Sequence, residues 1–142
     1  MTISSRFSVA IHMLSLVAYS PQDVISSDFL ARSVNTNPAV IRKIMAMLKK
    51  AELIQVRPGV AGMTLTKAPK HISLFEIYEA VAVVETNELF GMHDQPNPNC
   101  PVGQHIQATI EPIFIAAQTA MERVLADVTL ADVIIEIEQA VD

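Results

Sequence analysis

Residues 26–67 have the sequence SSDFLARSVNTNPAVIRKIMAMLKKAELIQVRPGVAGMTLTK, and the pattern within this stretch decides the fold. One of the two serines at its start, Ser26 or Ser27, can cap a short helix, because a serine hydroxyl accepts a hydrogen bond from an unpaired N–H at a helix start. Asn37 is a second capping residue, and Pro38 suits the first helical position because its missing N–H costs nothing there. The stretch therefore begins with two helices separated by a turn.

The second helix, predicted from Pro38 to about Lys50, has one apolar side and one basic side. The apolar residues recur at the 3.6-residue period of an α-helix, and they are Ile41, Ile44, Met45 and Leu48. The other stripe carries Arg42, Ala46, Lys49 and Lys50, with Lys43 beside it. We expect the apolar side to pack on the preceding helices and the cations to face outward. An ordinary amphipathic surface helix with a solvated basic side would give the same pattern.

Two short segments, residues 53–57 and 63–67, follow this helix and alternate apolar with polar residues. That period is typical of β-strands, and residues 58–62 have the turn-forming composition of a hairpin. A hairpin placed directly after a basic helix predicts the wing of a winged helix-turn-helix, a fold whose second helix fits the DNA major groove. Arg57 and Lys67 are then expected to reach phosphates, or an arginine to enter the minor groove.

Charge is divided unevenly along the chain, although the net charge is −5. Residues 1–70 hold nine of the ten Lys and Arg residues against three acids, a net charge of +6. Residues 71–142 hold Arg123 against twelve acids, a net charge of −11. The basic half contains the predicted winged helix, so the charge distribution favours a polyanion docking there. Segregation of charge for solubility alone is the alternative.

Length and composition are typical of one domain with a single core, since the chain has 142 residues. A hydrophobic content of 51% is high, which suggests that some apolar surface closes against a second copy. No apolar run approaches the ~18 residues of a membrane span, and no signal peptide is evident. The single cysteine cannot form an internal disulfide, which favours a reducing, cytoplasmic setting and no membrane association.

Further helices are predicted on both sides of the winged segment. Residues 4–20 form a first helix that begins at Ser4 or Ser5, and Ser73-x-x-Glu76 is a capping box that opens a helix to about residue 84. Residues 1–84 then form a winged-helix DNA-binding domain with its supporting helix. Residues 85–101 form a proline-rich loop suited to a sensor or partner contact.

Residues 102–142 are predicted to form a long dimerisation helix and a C-terminal helix. The long helix is too extended for a small winged domain to cover by itself, so we assign it to a dimer contact. Pro112 must kink this helix or split it in two. A second capping motif, Thr129-x-x-Asp132, opens the final helix. The predicted fold class is mainly α with a small β-hairpin wing.

Four segments of the chain resemble the Rrf-two family of bacterial transcription regulators, which includes the iron–sulfur cluster regulator, the nitric-oxide-sensing repressor and the cysteine-metabolism repressor. The segments are ISSRFSVAIHMLSLVAY (3–19), SVNTNPAVIRKIMAMLKKAELIQVRPGVAGMTLTK (33–67), HISLFEIYEAV (71–81) and NPNCPVGQHI (97–106). The resemblance implies a homodimer with a winged helix and a long dimerisation helix. Such a protein binds double-stranded DNA at palindromic promoter operators, as a repressor in our interpretation.

The same resemblance implies a DNA-contacting surface on the first helix, the helix-turn-helix and the wing. Its residues would be Ser4, Arg6, Ser26, Thr36, Asn37, Pro38, Ala39, Arg42, Lys43, Arg57, Gly59 and Gly62. The basic stripe of the second helix adds Lys49 and Lys50 as phosphate contacts. Thr36 and Arg42 are the candidates for reading bases.

The loop before the long helix departs from the iron–sulfur members of the family, which use three closely spaced cysteines there. Here the loop holds only Cys100, so no cluster and no other cofactor are expected, and the chain resembles the cluster-lacking type with an NPNCPVG loop. Cys100 is either a redox sensor with a lowered thiol pKa or a structural cysteine tucked under the loop. A bridge between two copies of Cys100 is a third arrangement, and the identity of any small effector is left open.

The residues give little support for an enzyme or for a metal-binding protein. Cys100 and His105 could form a nucleophile–base pair, but no orienting group or oxyanion site accompanies them, so no enzyme is predicted. His93, Asp94 and His105 follow no established metal-ligand spacing, and no metal site is predicted. The alternative function is an interaction module that does not bind DNA and whose basic half docks an acidic protein partner.

Overall fold

Helices and one small sheet make up the residues that the computed structural model describes, which are 5–19, 25–56, 62–81 and 89–141. Within these ranges the elements are α1 (Arg6–Tyr19), α2 (Ser27–Val34), α3 (Pro38–Lys50), β1 (Ile54–Gln55), β2 (Thr64–Leu65), a 3-10 helix (Pro69–His71), α4 (Leu74–Val81), α5 (Pro101–Asp127) and α6 (Leu130–Val141). The predicted class, mainly α with a small β-hairpin, is confirmed. The long helix begins at Pro101, one residue before its predicted start.

Side-chain caps set where α2 and α3 begin. The Ser26 hydroxyl accepts a hydrogen bond from the Phe29 N–H at 3.1 Å. Asn37 Oδ1 accepts one from the Val40 N–H at 3.0 Å, with Pro38 next in the chain as the first helical residue. Both capping residues have extended backbones, as this motif requires. The predicted caps of the helix-turn-helix are therefore confirmed, and the turn between the helices is completed by Asn35 in the left-handed conformation, at φ 63°.

The core lies where α1 meets the helix-turn-helix, α4 and α6. The inward side of α3 contributes Ile41, Ile44 and Leu48, all fully buried, as the periodicity predicted. Met45, predicted on the same side, is only half-buried. Buried residues of the other elements form one cluster with these three residues of α3. The cluster includes Ala10, Met13 and Leu14 of α1, Leu30 of α2, Ile54 and Met63 of the wing, Ile77 of α4, and Leu130 of α6. One shared core thus holds the basic helix, the wing and the final helix in fixed positions.

The wing is a short antiparallel pair with a third contact to the chain before α2. Ile54 lies opposite Leu65 and Gln55 opposite Thr64. The Met63 N–H donates to the Ile25 carbonyl at 3.3 Å, which adds an isolated bridge on the other side of β2. Residue 57 of the predicted first strand and residues 58–61 of the predicted turn lie outside the described residues.

The long helix α5 continues through Pro112 as one element, so of the two alternatives for this proline, the split into two helices is wrong. A proline inside a helix leaves the carbonyl four residues earlier without its usual donor. That residue is Ala108, which is exposed and can therefore be hydrated. With 27 residues, the helix is about 40 Å long. Gln118 alone is buried within α5, which the structure describes in full, so most of the helix is not covered by its own chain.

No helix within the described residues is both long enough and apolar enough to cross a membrane.

Gly103 has a steric role at the start of α5 that yields a stability prediction. A Cβ atom at this position would lie 2.4 Å from the Asn97 carbonyl oxygen, which is backbone and cannot move alone. The same oxygen accepts a hydrogen bond from the Cys100 N–H at 3.2 Å. We expect Gly103→Ala to lower the free energy of unfolding in urea by about 1–3 kcal/mol, because the loop must move away from the helix.

Helix propensity predicts the opposite sign for this substitution, since alanine favours a helix over glycine by up to about 1 kcal/mol. Ala116→Gly, at an exposed position of α5, measures the size of that propensity effect in the same helix. Stabilisation by Gly103→Ala would show that the loop does not pack against this glycine in solution.

Candidate nucleic-acid interface

The outward side of α3 presents a basic surface, here called the basic face. It consists of Ala39, Arg42, Lys43, Ala46, Lys49 and Lys50, all of which are exposed. The helix contains no acidic residue, so its four cations are not offset within α3. Lys49 and Lys50 lie in the last turn, where cations interact favourably with the helix dipole. The structure thus brings the sequence-predicted residues of α3 onto one side, opposite the buried stripe.

The start of α3 combines capping with the ability to donate further hydrogen bonds. Thr36 and Pro38 are half-buried, whereas Asn37 and Ala39 are exposed. The cap uses Asn37 Oδ1 as an acceptor, so the two N–H groups of the same amide are not needed for the cap and can donate to a base edge or a phosphate. Ser26 is in the same position on α2, because its oxygen accepts from Phe29 and its O–H can still donate. Capping and DNA contact are therefore compatible at both residues.

A shallow depression of about 390 Å³ separates the start of α3 from α2. Its lining residues are Asp28, Ala31, Arg32, Asn35, Thr36 and Pro38. Asp28 contributes a carboxylate to this lining, and Arg32 lies one helical turn after it on the same helix. Neither residue was predicted from the sequence, although their i, i+4 spacing is one that lets side chains meet. A ligand in this depression would encounter one charge of each sign.

The first helix brings Arg6 to the same region. Arg6 Nη1 lies 4.0 Å from the sulfur of Met47, so the start of α1 is next to α3. A hydrogen bond of 3.0 Å between His12 Nε2 and Ser33 Oγ joins α1 to α2 further along. The sequence analysis missed this bond, because no local pattern relates residues 21 positions apart. Ser4, which the resemblance also implied, lies outside the described residues.

Of the wing residues that the family resemblance implied at the DNA-contacting surface, one lies within the described residues, Gly62. Gly62 has φ 117°, a backbone conformation that side-chain-bearing residues rarely adopt, which explains glycine at this position. Arg57 and Gly59 lie outside the described residues. Lys67, which was predicted to reach a phosphate, has its ammonium nitrogen 2.6 Å from Glu76 Oε2 on α4. The sequence analysis had recognised Glu76 only as a helix cap, so this ion pair is new.

Burial raises the pKa of Glu76, but hydrogen bonds from Lys67 and Ser73 and the charge of Lys67 outweigh that effect. The carboxyl group therefore has a pKa below its ordinary value, and it remains ionised at neutral pH. A depressed pKa in the folded state means that the pair stabilises the fold above the ordinary glutamate pKa. That contribution is lost as the pH falls through the folded-state pKa.

The loop before α5 leaves Cys100 exposed, so the alternative of a structural cysteine tucked under the loop is wrong. Cys100 immediately precedes α5, and its side chain makes no capping hydrogen bond. His93, Asp94 and His105 are also exposed. The described residues contain no group of three or more His, Cys, Asp or Glu side chains arranged to hold a metal ion.

The winged helix-turn-helix with an exposed basic helix and a long C-terminal helix defines a class of transcription regulators. A family model described as Rrf2, iron-dependent transcriptional regulator, matches residues 3–136. The chain therefore belongs to the Rrf2 (Rrf-two) family of transcriptional regulators, as the sequence resemblance indicated.

Individual relatives agree with this assignment. The chain is 49% identical over 131 residues to a protein of Bacillus subtilis (strain 168) named as the HTH-type transcriptional regulator YwnA, covering 92% of this chain and 96% of that protein. A crystal structure described as that of a DNA-binding protein is 44% identical, with a TM-score of 0.72 over 91% of this chain and 98% of that one. The structure of IscR from T. potens has a TM-score of 0.73 at 19% identity, covering 99% and 90% of the two chains, which shows the shared fold.

The iron dependence in the family description does not fit the donor set of this chain. An iron–sulfur cluster needs several thiolate ligands, and the chain has one cysteine, Cys100. Within the described ranges no cluster of histidine and carboxylate side chains takes the place of the missing thiolates. We therefore derive no function through an iron group.

The cap of α3 gives a prediction about the stability of the fold. Asn37→Ala removes the acceptor for the Val40 N–H and should lower the free energy of unfolding by about 1 kcal/mol. Asn37→Ser restores a capping oxygen and should unfold within a few tenths of a kcal/mol of the wild type. Urea unfolding of both variants checks this pair of outcomes. Equal stability of Asn37→Ala and the wild type would mean that the cap does not form in solution.

Proposed function

We propose that this chain is a homodimeric repressor that binds a palindromic DNA operator with α3 in the major groove. The observation that carries the proposal is the basic face, whose four cations are exposed on a helix that buries Ile41, Ile44 and Leu48 on its other side. A recognition helix needs this arrangement. Burial of its apolar side fixes its rotation about its own axis, and its polar side then faces the DNA duplex. Family membership supports DNA as the partner.

The residues at the two ends of α3 would have different roles. Thr36, Asn37 and Arg42 lie at or near its N-terminal end and would meet base edges, since N-terminal residues of recognition helices enter the groove. Lys49 and Lys50 at the other end would hold phosphates. Arg57 in the wing would reach the flanking backbone or minor groove, a role that rests on the sequence pattern alone.

The dimer would form along α5. An apolar stripe on this helix, here called the α5 stripe, has the alternating four- and three-residue spacing of a coiled-coil seam. Its residues are Ile106, Ile110, Ile113, Ala117, Ala120 and Val124. Ile113 is 60% exposed and Val124 is 64% exposed, so the chain alone leaves this stripe in water. The other side of α5 contacts α4 and, through Gln118 and Phe114, the loop of residues 89–100.

The signal that the protein senses would act through the loop of residues 89–100. Phe90 packs against Phe114 of α5 with ring centroids 5.0 Å apart, and Gln118 Oε1 accepts a hydrogen bond from the Leu89 N–H at 3.0 Å. These contacts attach the loop to the proposed dimer helix. Oxidation of the exposed Cys100 would be one way to alter it. No iron–sulfur cluster, catalytic activity or membrane contact forms part of the proposal, and the protein would act in the cytoplasm.

The rival function is docking of an acidic protein partner on the basic face. Both functions use the same cations, so general affinity for polyanions does not separate them. Selection of duplexes from a random pool, followed by binding at physiological salt with excess competitor DNA, does separate them. Recovery of a palindromic consensus supports the proposal, and recovery of no consensus under reducing or oxidising conditions contradicts it.

The basic face predicts two kinds of effect on binding to the selected operator. Lys49→Ala and Lys50→Ala should weaken all sequences equally and reduce the slope of log affinity against log salt by about 0.9 each. Arg42→Ala should instead relax the preference at particular base pairs, at a cost of about 1–3 kcal/mol. Fluorescence anisotropy titrations at several salt concentrations measure both effects.

Lys70→Ala is the matched control, because Lys70 is an exposed cation on the 3-10 helix outside the basic face. Its salt slope should equal that of the wild type. A control slope reduced as much as that of Lys49→Ala would show that net charge, and not the basic face, governs binding.

The α5 stripe predicts the oligomeric state. Ile113→Glu combined with Val124→Glu should convert a dimer to a monomer, because two carboxylates per chain would be buried without partners in the seam. Sedimentation equilibrium of the purified chain measures the change. Ala126→Glu places the same charge on an exposed position on the opposite side of α5 and should leave the dimer intact. A monomeric wild type, or a dimeric double variant, would contradict the assignment.

A further inference from the structure

The start of α4 and the connection between α5 and α6 are joined by a short antiparallel pairing. The Leu74 N–H donates to the Val128 carbonyl at 2.9 Å, and the Leu130 N–H donates to the Ile72 carbonyl at 2.8 Å. Ser73 and Thr129 lie opposite each other between these two bonds. The place where the long helix ends is thus fixed to the start of α4 by main-chain hydrogen bonds.

Both helices that begin at this pairing are closed by reciprocal capping boxes. On α4, Ser73 Oγ accepts from the Glu76 N–H at 3.1 Å, and Glu76 Oε1 accepts from the Ser73 N–H at 3.3 Å. On α6, Thr129 Oγ1 accepts from the Asp132 N–H at 3.2 Å, and Asp132 Oδ2 accepts from the Thr129 N–H at 2.9 Å. These bonds satisfy N–H groups that a helix start leaves unpaired, so the first turns are well fixed.

The second oxygen of Glu76 extends this fixed region to the base of the wing. Glu76 Oε2 lies 2.6 Å from the ammonium nitrogen of Lys67, which comes two residues after β2. The preceding residue, Thr66, is attached in turn to the segment between α3 and β1. Its N–H donates to the Leu53 carbonyl at 3.1 Å, and its hydroxyl donates to the Glu52 carbonyl at 2.6 Å. The base of the wing is therefore held by hydrogen bonds to the segment that follows α3 and by the ion pair with Glu76.

We infer that Glu76 is a positioning residue for DNA binding, which acts by fixing the base of the wing, through Lys67, to the α4 start and the α5–α6 connection. The inference rests on the proposed function, since it assumes that the wing lies against the duplex. Exposed ion pairs contribute little to the free energy of folding, and both side chains here are more than a third exposed. The effect of this pair therefore concerns the orientation of the wing more than the stability of the chain.

Two substitutions separate the ion pair from the helix cap. Glu76→Gln retains an amide oxygen that can accept from the Ser73 N–H, because glutamine also completes a capping box. It removes the negative charge that faces Lys67. Lys67→Met removes the ammonium group and keeps an unbranched apolar stem. Lys70→Met and Glu79→Gln change the same charges at exposed positions one turn away and act as matched controls.

Binding of the intact chain to its selected operator gives the first readout. Glu76→Gln and Lys67→Met should each weaken binding by about two- to fivefold, the range expected for an exposed pair, while the controls do not. The double variant should bind no more weakly than the weaker single variant, because both remove the same contact. The salt slope should stay at the wild-type value for all variants, since no phosphate contact is lost.

Hydrogen exchange of the chain without DNA gives the second readout. Amides of residues 62–68 should exchange faster in both variants, whereas those of α1 and α3 should not change. A structural role alone would lower the unfolding midpoint without accelerating exchange at the wing or weakening DNA binding, and would overturn the inference.

A direct role of Lys67 at the DNA would overturn the inference in another way. Lys67→Met would then reduce the salt slope by about 0.9, and Glu76→Gln would bind as tightly as the wild type or more tightly. If the wild type selects no operator, the proposed function fails. In that case the exchange measurement still decides whether Glu76 fixes the wing: unchanged exchange in both variants rejects the inference.

Discussion

The burial of Ile41, Ile44 and Leu48 is the constraint on which the proposed DNA-facing surface depends. These residues are fully buried in the core shared with α1, and their spacing leaves α3 only one rotation about its own axis. With the rotation fixed, Arg42 and Lys49 must face outward together. The caps at Ser26 and Asn37 fix where the two helices begin, so the turn between them has a defined geometry. Packing, rather than any contact among the cations, places the basic face.

The same core also explains how the wing and the C-terminal helices relate to the basic face. Ile54 and Met63 of the wing and Leu130 of α6 belong to one buried cluster with α3. Polar contacts then fix the relative positions of elements that share the core. Glu76, for example, contacts both Lys67 at the base of the wing and Ser73 at the start of α4. The fold is shared with IscR of T. potens, and the single Cys100 of this chain does not supply the thiolate ligands that an iron–sulfur cluster needs.

Short-range sequence patterns, such as helix caps, predicted the structure well. The capping boxes at Ser73 and Thr129 were recognised from spacing alone, because each bond in them spans three residues and needs no tertiary contact. Sequence patterns were less informative where distant segments meet. The ion pair of Lys67 with Glu76 joins two elements and was not predicted, and the exposure of Cys100 excludes the alternative of a buried structural cysteine. Pro112 could not be resolved from sequence, because a proline in a helical pattern is compatible with either a kink or a split, and the structure has one continuous helix.

By itself the sequence determined the helix-turn-helix, its caps, the basic stripe and the family, because these depend on periodicity, on bonds within one turn and on motifs. Only the tertiary structure decided which charges remain available and which are compensated. It also decided that α5 exposes an apolar stripe along its length, and that the base of the wing is attached both to the segment that follows α3 and to Glu76. These features join residues far apart in the chain, and one-dimensional patterns carry no information about which distant side chains come within a few ångströms of each other.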